Sequence, residues 1–310
     1  MFFHRRRAEY RKLVEREGEL WGRSKTGVRI SWFDSPLIYR YICQSVSGRP
    51  HVDWVDYIKE KYFHRPAELG LTAGCGHGDA ERHFLQRDVV RRMEAFDISP
   101  QAIEQARRLA EERGFGERAR YFVGDANYLE DAPLSNSYDV IFGVMSLHHF
   151  EQLEKCLDEL QAKLKPGGYF IADEFIGPER FQWSDAQLEA ANRLLACFPK
   201  ELRRYLDRPD EWKTLVKRPT IEEMMKYQAF EAICSPRIIS AIQKRFDVLE
   251  IKYYGGTVLH ILFEGIMGNF KEENEREHAI MVRMAIECER LLLAHGGLPH
   301  DHALIVARKK

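Results

Sequence analysis

Leu69-Gly70-Leu71-Thr72-Ala73-Gly74-Cys75-Gly76-His77-Gly78-Asp79 is an apolar run that passes into three glycines at alternate positions and then into a helix-patterned segment. Glycine is needed where the backbone turns sharply and where a ligand must approach the main chain. A strand, a Gly-rich turn and a helix N-terminus are how an open parallel sheet presents a nucleotide-like ligand. The spacing narrows the ligand. Dinucleotide folds favour G-x-G-x-x-G, which would put a glycine where Asp79 stands. A carboxylate at the helix start also repels a pyrophosphate seated there. The turn therefore argues against an NAD(P)-dependent oxidoreductase and for a ligand without phosphates at this point.

The following segments repeat the strand-helix pattern. Met93 to Phe96 reads as a strand with Asp97-Ile98 at its tip, followed by a helix capped by Ser99 with Pro100 at its first position. Asp97 lies about twenty residues past the glycines, where a carboxylate can accept both hydroxyls of a ribose. Ala119 to Val123 is a third strand ending in Gly124-Asp125-Ala126-Asn127, whose carboxylate and amide can bond an adenine edge. Tyr138 to Val144 is a fourth, leading to Met145-Ser146-Leu147-His148-His149-Phe150 and an amphipathic helix. Lys165-Pro166-Gly167-Gly168 reads as a turn, and Tyr169 to Ala172 as a fifth strand ending at Asp173-Glu174.

In this order GCGHG (74–78), FDISP (96–100), GDAN (124–127), YDVIFGVMSLHHF (138–150) and LKPGGYFIADE (164–174) resemble the class I S-adenosylmethionine-dependent methyltransferases. The resemblance covers roughly residues 66–176. It implies an α/β, Rossmann-like fold: a seven-stranded sheet with helices on both faces, and S-adenosylmethionine as cofactor. Gly74, Cys75, Gly76 and Gly78 would line its methionine part. Asp97 and Ile98 would hold the ribose, Asp125, Ala126 and Asn127 the adenine end, and Gly143 would lie beside the cofactor. One departure stands out. Where the family often has an acidic residue two positions before the first glycine, this chain has Thr72. Glu81, in the first turn of the next helix, is the candidate to hold the cofactor's ammonium. Outer segments, among them WFDSPL (32–37), GPERFQW (177–183) and YGGTVLH (254–260), are similar to a bacterial methyltransferase subgroup associated with polysaccharide and glycan modification.

The outer segments set the remaining organisation. Residues 1–65 read as a helical N-terminal extension and 66–176 as the cofactor-binding core. Residues 177–245 read as a helical lid that selects the acceptor, and 246–310 as completion of the sheet around a helical insertion at 265–297. A net charge of −1 over 310 residues argues against nucleic-acid binding, which needs a basic face. The Arg5-Arg6-Arg7 cluster reads as part of a solvated helix, because acidic residues interleave from Glu9 on. Six scattered cysteines without a C-x-x-C pair suit a reduced, cytoplasmic protein. No apolar run approaches the roughly 20 residues of a membrane span. Homo-oligomers are left open.

Methyl transfer from a sulfonium needs an aligned acceptor and, for a hydroxyl, a base. His148 and His149 stand where the methyl group should point, with His149 the first choice of base because imidazole titrates near neutrality. Asp173 and Glu174, one strand over, are the alternatives. Arg180, Trp183, Tyr254 and His260 are the candidate acceptor-binding residues. No metal site is assigned: Val258 to Phe263 reads as a strand, which spoils helical ligand spacing for His260 and Glu264. The expected reaction is O-methylation of a small-molecule or glycan hydroxyl. N- or C-methylation and a non-catalytic cofactor-binding partner are the alternatives.

Overall fold

The computed structural model describes residues 10, 12–16, 18–19, 31–131, 133–135 and 137–310. The Arg5-Arg6-Arg7 reading and much of the first 30 residues of the proposed extension therefore lie outside the described residues. Seven strands form one sheet: β1 Ala67–Ala73, β2 Val90–Asp97, β3 Ala119–Val123, β4 Tyr138–Val144, β5 Leu164–Phe175, β6 Phe246–Tyr253 and β7 His302–Lys309. Their order is β3-β2-β1-β4-β5-β7-β6. The first five run parallel, and β7 is antiparallel to both β5 and β6. The α/β Rossmann-like methyltransferase fold expected from the sequence is the fold observed.

Strands of a sheet covered on both faces read as continuous apolar runs. In β4, Val140 and Phe142 join one core cluster and Ile141 the other, as the two-residue period of a strand demands. The first cluster continues through Phe84, Ile103 and Ile38, and the second through Leu157, Leu160 and Ile242. Ser99 caps the helix Pro100–Glu112, its hydroxyl accepting from the Ala102 N–H at 3.2 Å. Asp97 is thus freed from that task.

Two local readings change. The fifth strand is longer than expected, running from Leu164 through Phe175 and taking Asp173 and Glu174 into the sheet. The expected turn survives as a pairing irregularity between Tyr138 and Val140 and a φ of 74° at Gly167. Val258 to Phe263, expected as a strand, instead forms the short helix Leu259–Phe263. The cause is distant in sequence. Glu289, buried on the helix Arg276–Ala294, accepts the N–H groups of Gly256, Val258 and Leu259 at 2.7–2.9 Å. That carboxylate satisfies the start of the helix and overrides the local β preference.

Candidate active site

A cavity of about 480 Å³ opens at the C-terminal ends of β1 to β4. Gly74, Gly76 and Gly78 hold φ of 74°, 51° and 77°, in the left-handed region. A Cβ on Gly74 would come within 2.7 Å of the Ser146 Cβ, and one on Gly78 within 2.8 Å of the Tyr121 hydroxyl, whereas one on Gly76 would meet nothing. The turn is therefore packed tightly behind and open in front. Cys75, Asp97, Ile98, Asp125, Ala126 and Asn127 all line the same cavity.

The Gly76 N–H donates to Asp97 Oδ2 at 2.8 Å and the Ser99 N–H to Oδ1 at 3.0 Å. Burial pushes the Asp97 carboxyl up and these N–H groups pull it back. At the next tip, Asp125 Oδ1 accepts from the Asn127 N–H at 2.8 Å, while Oδ2 accepts from the Tyr10 hydroxyl at 2.7 Å. Asn127 Nδ2 also donates to that hydroxyl. Tyr10, which sequence reasoning did not single out, closes this end of the cavity from 115 positions away.

Gly78, Gly143 and Glu81, all expected beside the cofactor, are not among the cavity-lining residues. Gly78 packs against Tyr121 and Ala106 instead. Gly143 makes room for Leu147, whose Cγ would lie 2.8 Å from an added Cβ. Glu81 lies behind the glycine turn, fully buried, with neither carboxylate oxygen in a well-formed hydrogen bond among the described residues. Thr72 lines the cavity, and its hydroxyl is orphaned in the same way. Burial pushes the Glu81 carboxyl up to about 7, against the opposing pull of Thr72 and Arg82. A buried carboxylate without a partner costs free energy unless a cation meets it.

The other end of the cavity is His149. His148 lies beside it, ring centroids 4.0 Å apart, with its Nδ1 2.7 Å from Glu174 Oε2. Glu174 Oε1 accepts the N–H groups of Ser146 and Leu147 at 2.7 Å each. Asp173, by the alternation of a strand, faces the opposite side and accepts from the Tyr254 hydroxyl at 2.7 Å. Burial raises Asp173 to about 7. Neither Asp173 nor Tyr254 lines the cavity, so the paired carboxylates of the sequence separate into two environments.

Glu231, missed in the sequence, completes the histidine cluster. Its Oε1 is 3.5 Å from His148 Nε2 and its Oε2 is 3.9 Å from His149 Nδ1. Burial opposes charge on His148, but Glu174 and Glu231 raise it to about 10. Burial and the neighbouring His148 lower His149 to about 4, so this imidazole is neutral at ordinary pH rather than titrating near 6.5. Burial opposes ionisation of Glu231 too, yet the two histidines hold it down to about 2. Sequence reasoning assigned no metal. The folded chain brings one ligand atom each from His148, His149 and Glu231 within 4.8 Å of one another.

None of the expected acceptor residues Arg180, Trp183, Tyr254 and His260 lines the cavity. Arg180 takes a left-handed φ of 50° and donates to the carbonyls of Ala229 and Ala232, so it ties the segment after β5 to residues 229–232. Trp183 stacks on Phe181 at 5.0 Å and meets His260 edge-on at 6.1 Å. His302, outside the expected acceptor set and fully buried, lies 5.6 Å from His260 and against Trp32 and Phe175. Neither His302 ring nitrogen, nor His260 Nδ1, nor Trp183 Nε1 has a hydrogen-bond partner among the described residues. Phe175 links this aromatic chamber to His148, 5.9 Å away.

Residues 71–168 match the family model described as a methyltransferase domain. The match covers about a third of the chain and defines the class of that core: residues 71–168 are similar to a methyltransferase domain. Among curated proteins, a ubiquinone/menaquinone biosynthesis C-methyltransferase UbiE of Cereibacter sphaeroides is 28% identical over 130 residues, covering 42% of this chain and 51% of that protein. A sterol 24-C-methyltransferase of Yarrowia lipolytica is 27% identical over 131 residues, covering 42% of this chain and 34% of the other. At most, then, the chain spans about half the length of these curated relatives. A solved geranyl diphosphate methyltransferase in complex with SAM superposes with a TM-score of 0.50 at 13% identity, covering 83% of this chain and 84% of that one, a likeness of fold. Among the described residues, no helix is long and apolar enough to cross a membrane.

Proposed function

We propose that the protein is an S-adenosylmethionine-dependent methyltransferase that methylates a hydroxyl of a small-molecule or glycan acceptor. The observation that carries this reading is a single cavity joining the open glycine turn and Asp97 at one end to His149 at the other. S-adenosylmethionine fits the groups present. The orphaned Glu81 carboxylate calls for a cation such as the cofactor's ammonium, reached through the orphaned Thr72 hydroxyl at the cavity wall. Asp97 retains acceptor capacity toward ribose hydroxyls, and Asp125 with Asn127 offers polar edges to adenine. When bound, the cofactor supplies an activated methyl group whose C–S bond breaks, electron pair to sulfur, as the acceptor loses its O–H proton and gains the O–C bond.

The chain's own task is alignment and proton removal. Alignment alone is worth up to roughly 7–11 kcal/mol for ideal intramolecular geometry. The polar end built from His149, His148 and Glu231 supports a hydroxyl acceptor, since it can hold that group and take up its proton. The buried aromatic cluster around Phe175, with ring nitrogens that lack a hydrogen-bond partner among the described residues, supports Trp183 and His260 as acceptor contacts. The resemblance of the outer segments to a bacterial methyltransferase subgroup associated with glycan modification supports a glycan among the acceptors. Six free cysteines fit a cytoplasmic setting. Carbon methylation is the second reading, favoured by the names of the curated relatives. The test is calorimetric binding of S-adenosylhomocysteine against NAD(P)H, followed by turnover with sugar and phenolic acceptors. The methyl resonance of the product separates oxygen from carbon attachment. Binding of NAD(P)H without S-adenosylhomocysteine refutes the proposal.

A further inference from the structure

Each histidine at the cavity end has one ring nitrogen already engaged by an oxygen. His148 Nδ1 meets Glu174 at 2.7 Å, and His149 Nδ1 meets the Phe230 carbonyl at 3.2 Å. Glu174 is in turn fixed by two backbone N–H groups. His148 is oriented as a metal-bound imidazole is, its second nitrogen donating to a carboxylate that sets tautomer and ring plane. The His149 nitrogen near Glu231 is Nδ1, 3.9 Å from Oε2. The other nitrogen of His148 looks at Glu231 across 3.5 Å, longer than a good hydrogen bond. Donors at 2.0–2.1 Å from a tetrahedral ion stand about 3.3–3.4 Å apart. The 3.5 Å gap needs little change, and ligand atoms from all three residues already lie within 4.8 Å.

We propose that His148, His149 and Glu231 bind one divalent transition-metal ion, zinc being the best match to two imidazoles and a carboxylate. Three protein ligands leave a coordination position open, the pattern of catalytic rather than structural sites. His149, one of the three ligands, lines the cavity with Phe230, so the site adjoins it. An acceptor hydroxyl oxygen would occupy the open position and lose its proton to solvent more readily, because the ion stabilises the oxyanion. His149 is then a ligand, not the base. Glu174 is a positioning residue that acts through His148. The metal's chemistry rests on the methyltransferase reading; its binding does not.

The test uses the untagged full chain, stripped by chelation and dialysed, with Co²⁺ and then Zn²⁺ as probes. One Co²⁺ per chain with visible d–d absorption, displaced by one Zn²⁺, is expected. Glu231→Gln and His149→Gln should each weaken Co²⁺ binding at least ~10-fold, while S-adenosylhomocysteine affinity shows that the fold persists. Glu174→Gln should weaken it ~10–100-fold and shift the absorption bands, as loss of an orienting partner does. No Co²⁺ spectrum in the wild type overturns the inference, as does stoichiometric binding that survives both ligand substitutions. S-adenosylhomocysteine binding without metal binding removes this proposal and leaves the transferase reading. Metal binding without S-adenosylhomocysteine removes the transferase reading and leaves the site.

Discussion

If Glu81 receives the cofactor's ammonium, pH should control cofactor affinity in a way the structure specifies. The perturbation is Glu81→Gln, compared with wild type between pH 5.5 and 8. Glu81 titrates at about 7 in the folded chain, against an ordinary value of 4.5. The groups facing it are Thr72, Arg82, Asp79, Cys75 and Tyr121, and burial outweighs them all. Only the ionised carboxylate pairs with an ammonium. At pH 6 roughly one molecule in ten carries that form, so affinity should fall about tenfold per pH unit below 7 and gain no more than about twofold above it. Calorimetric titration with S-adenosylhomocysteine across this range measures the slope. The Gln variant should lose the slope and, at pH 8, bind roughly 10–100-fold more weakly, the value of a charged hydrogen bond. Stability should move the other way. With a folded pKa raised above the unfolded one, the folded state holds the proton more tightly between pH 4.5 and 7. The carboxylate therefore destabilises the fold increasingly as pH rises through that window, by roughly 3 kcal/mol at the limit. The Gln variant should melt higher than wild type at pH 8. A wild-type affinity that is flat from pH 5.5 to 8, or unchanged in the variant, refutes the assignment.

Asp97→Ala should weaken S-adenosylhomocysteine binding at least ~10-fold, at about 1.5–3 kcal/mol per charged hydrogen bond, with the fold retained by circular dichroism. His149→Ala should lower kcat by ~10²–10⁴-fold in a turnover assay while S-adenosylhomocysteine affinity stays within about twofold. Trp183→Ala should raise the acceptor KM and leave cofactor affinity near wild type; unchanged acceptor kinetics would take Trp183 out of recognition. Gly78→Ala should destabilise the protein by about 1–3 kcal/mol in denaturant titration, because a side chain at φ 77° also meets the Tyr121 hydroxyl.

The amino-acid sequence by itself determined the sheet core and most of the residues that line the glycine-turn end of the cavity. Those residues sit where strands end and helices begin, and local chemistry marks such places: alternate glycines for left-handed backbone, Ser99-Pro100 for a helix start, and acidic residues at Asp97 and Asp125. The third and fourth strands needed no correction, since each is a short, mostly apolar and β-branched or aromatic segment bounded by turn residues. Only the tertiary structure decided the acceptor end. Tyr10 reaches Asp125, Glu231 reaches His148, and His302 reaches His260 across 115, 83 and 42 positions of chain respectively. No local pattern encodes such meetings. Glu289 turns a strand-like segment into a helix for the same reason: its three hydrogen bonds come from another element. Burial was equally unreadable. Glu81 looks like an ordinary helix-start glutamate in sequence, and only the packing of β1, β3 and the glycine turn around it makes it an orphaned charge, because a pKa is set by solvent and neighbours rather than by residue type.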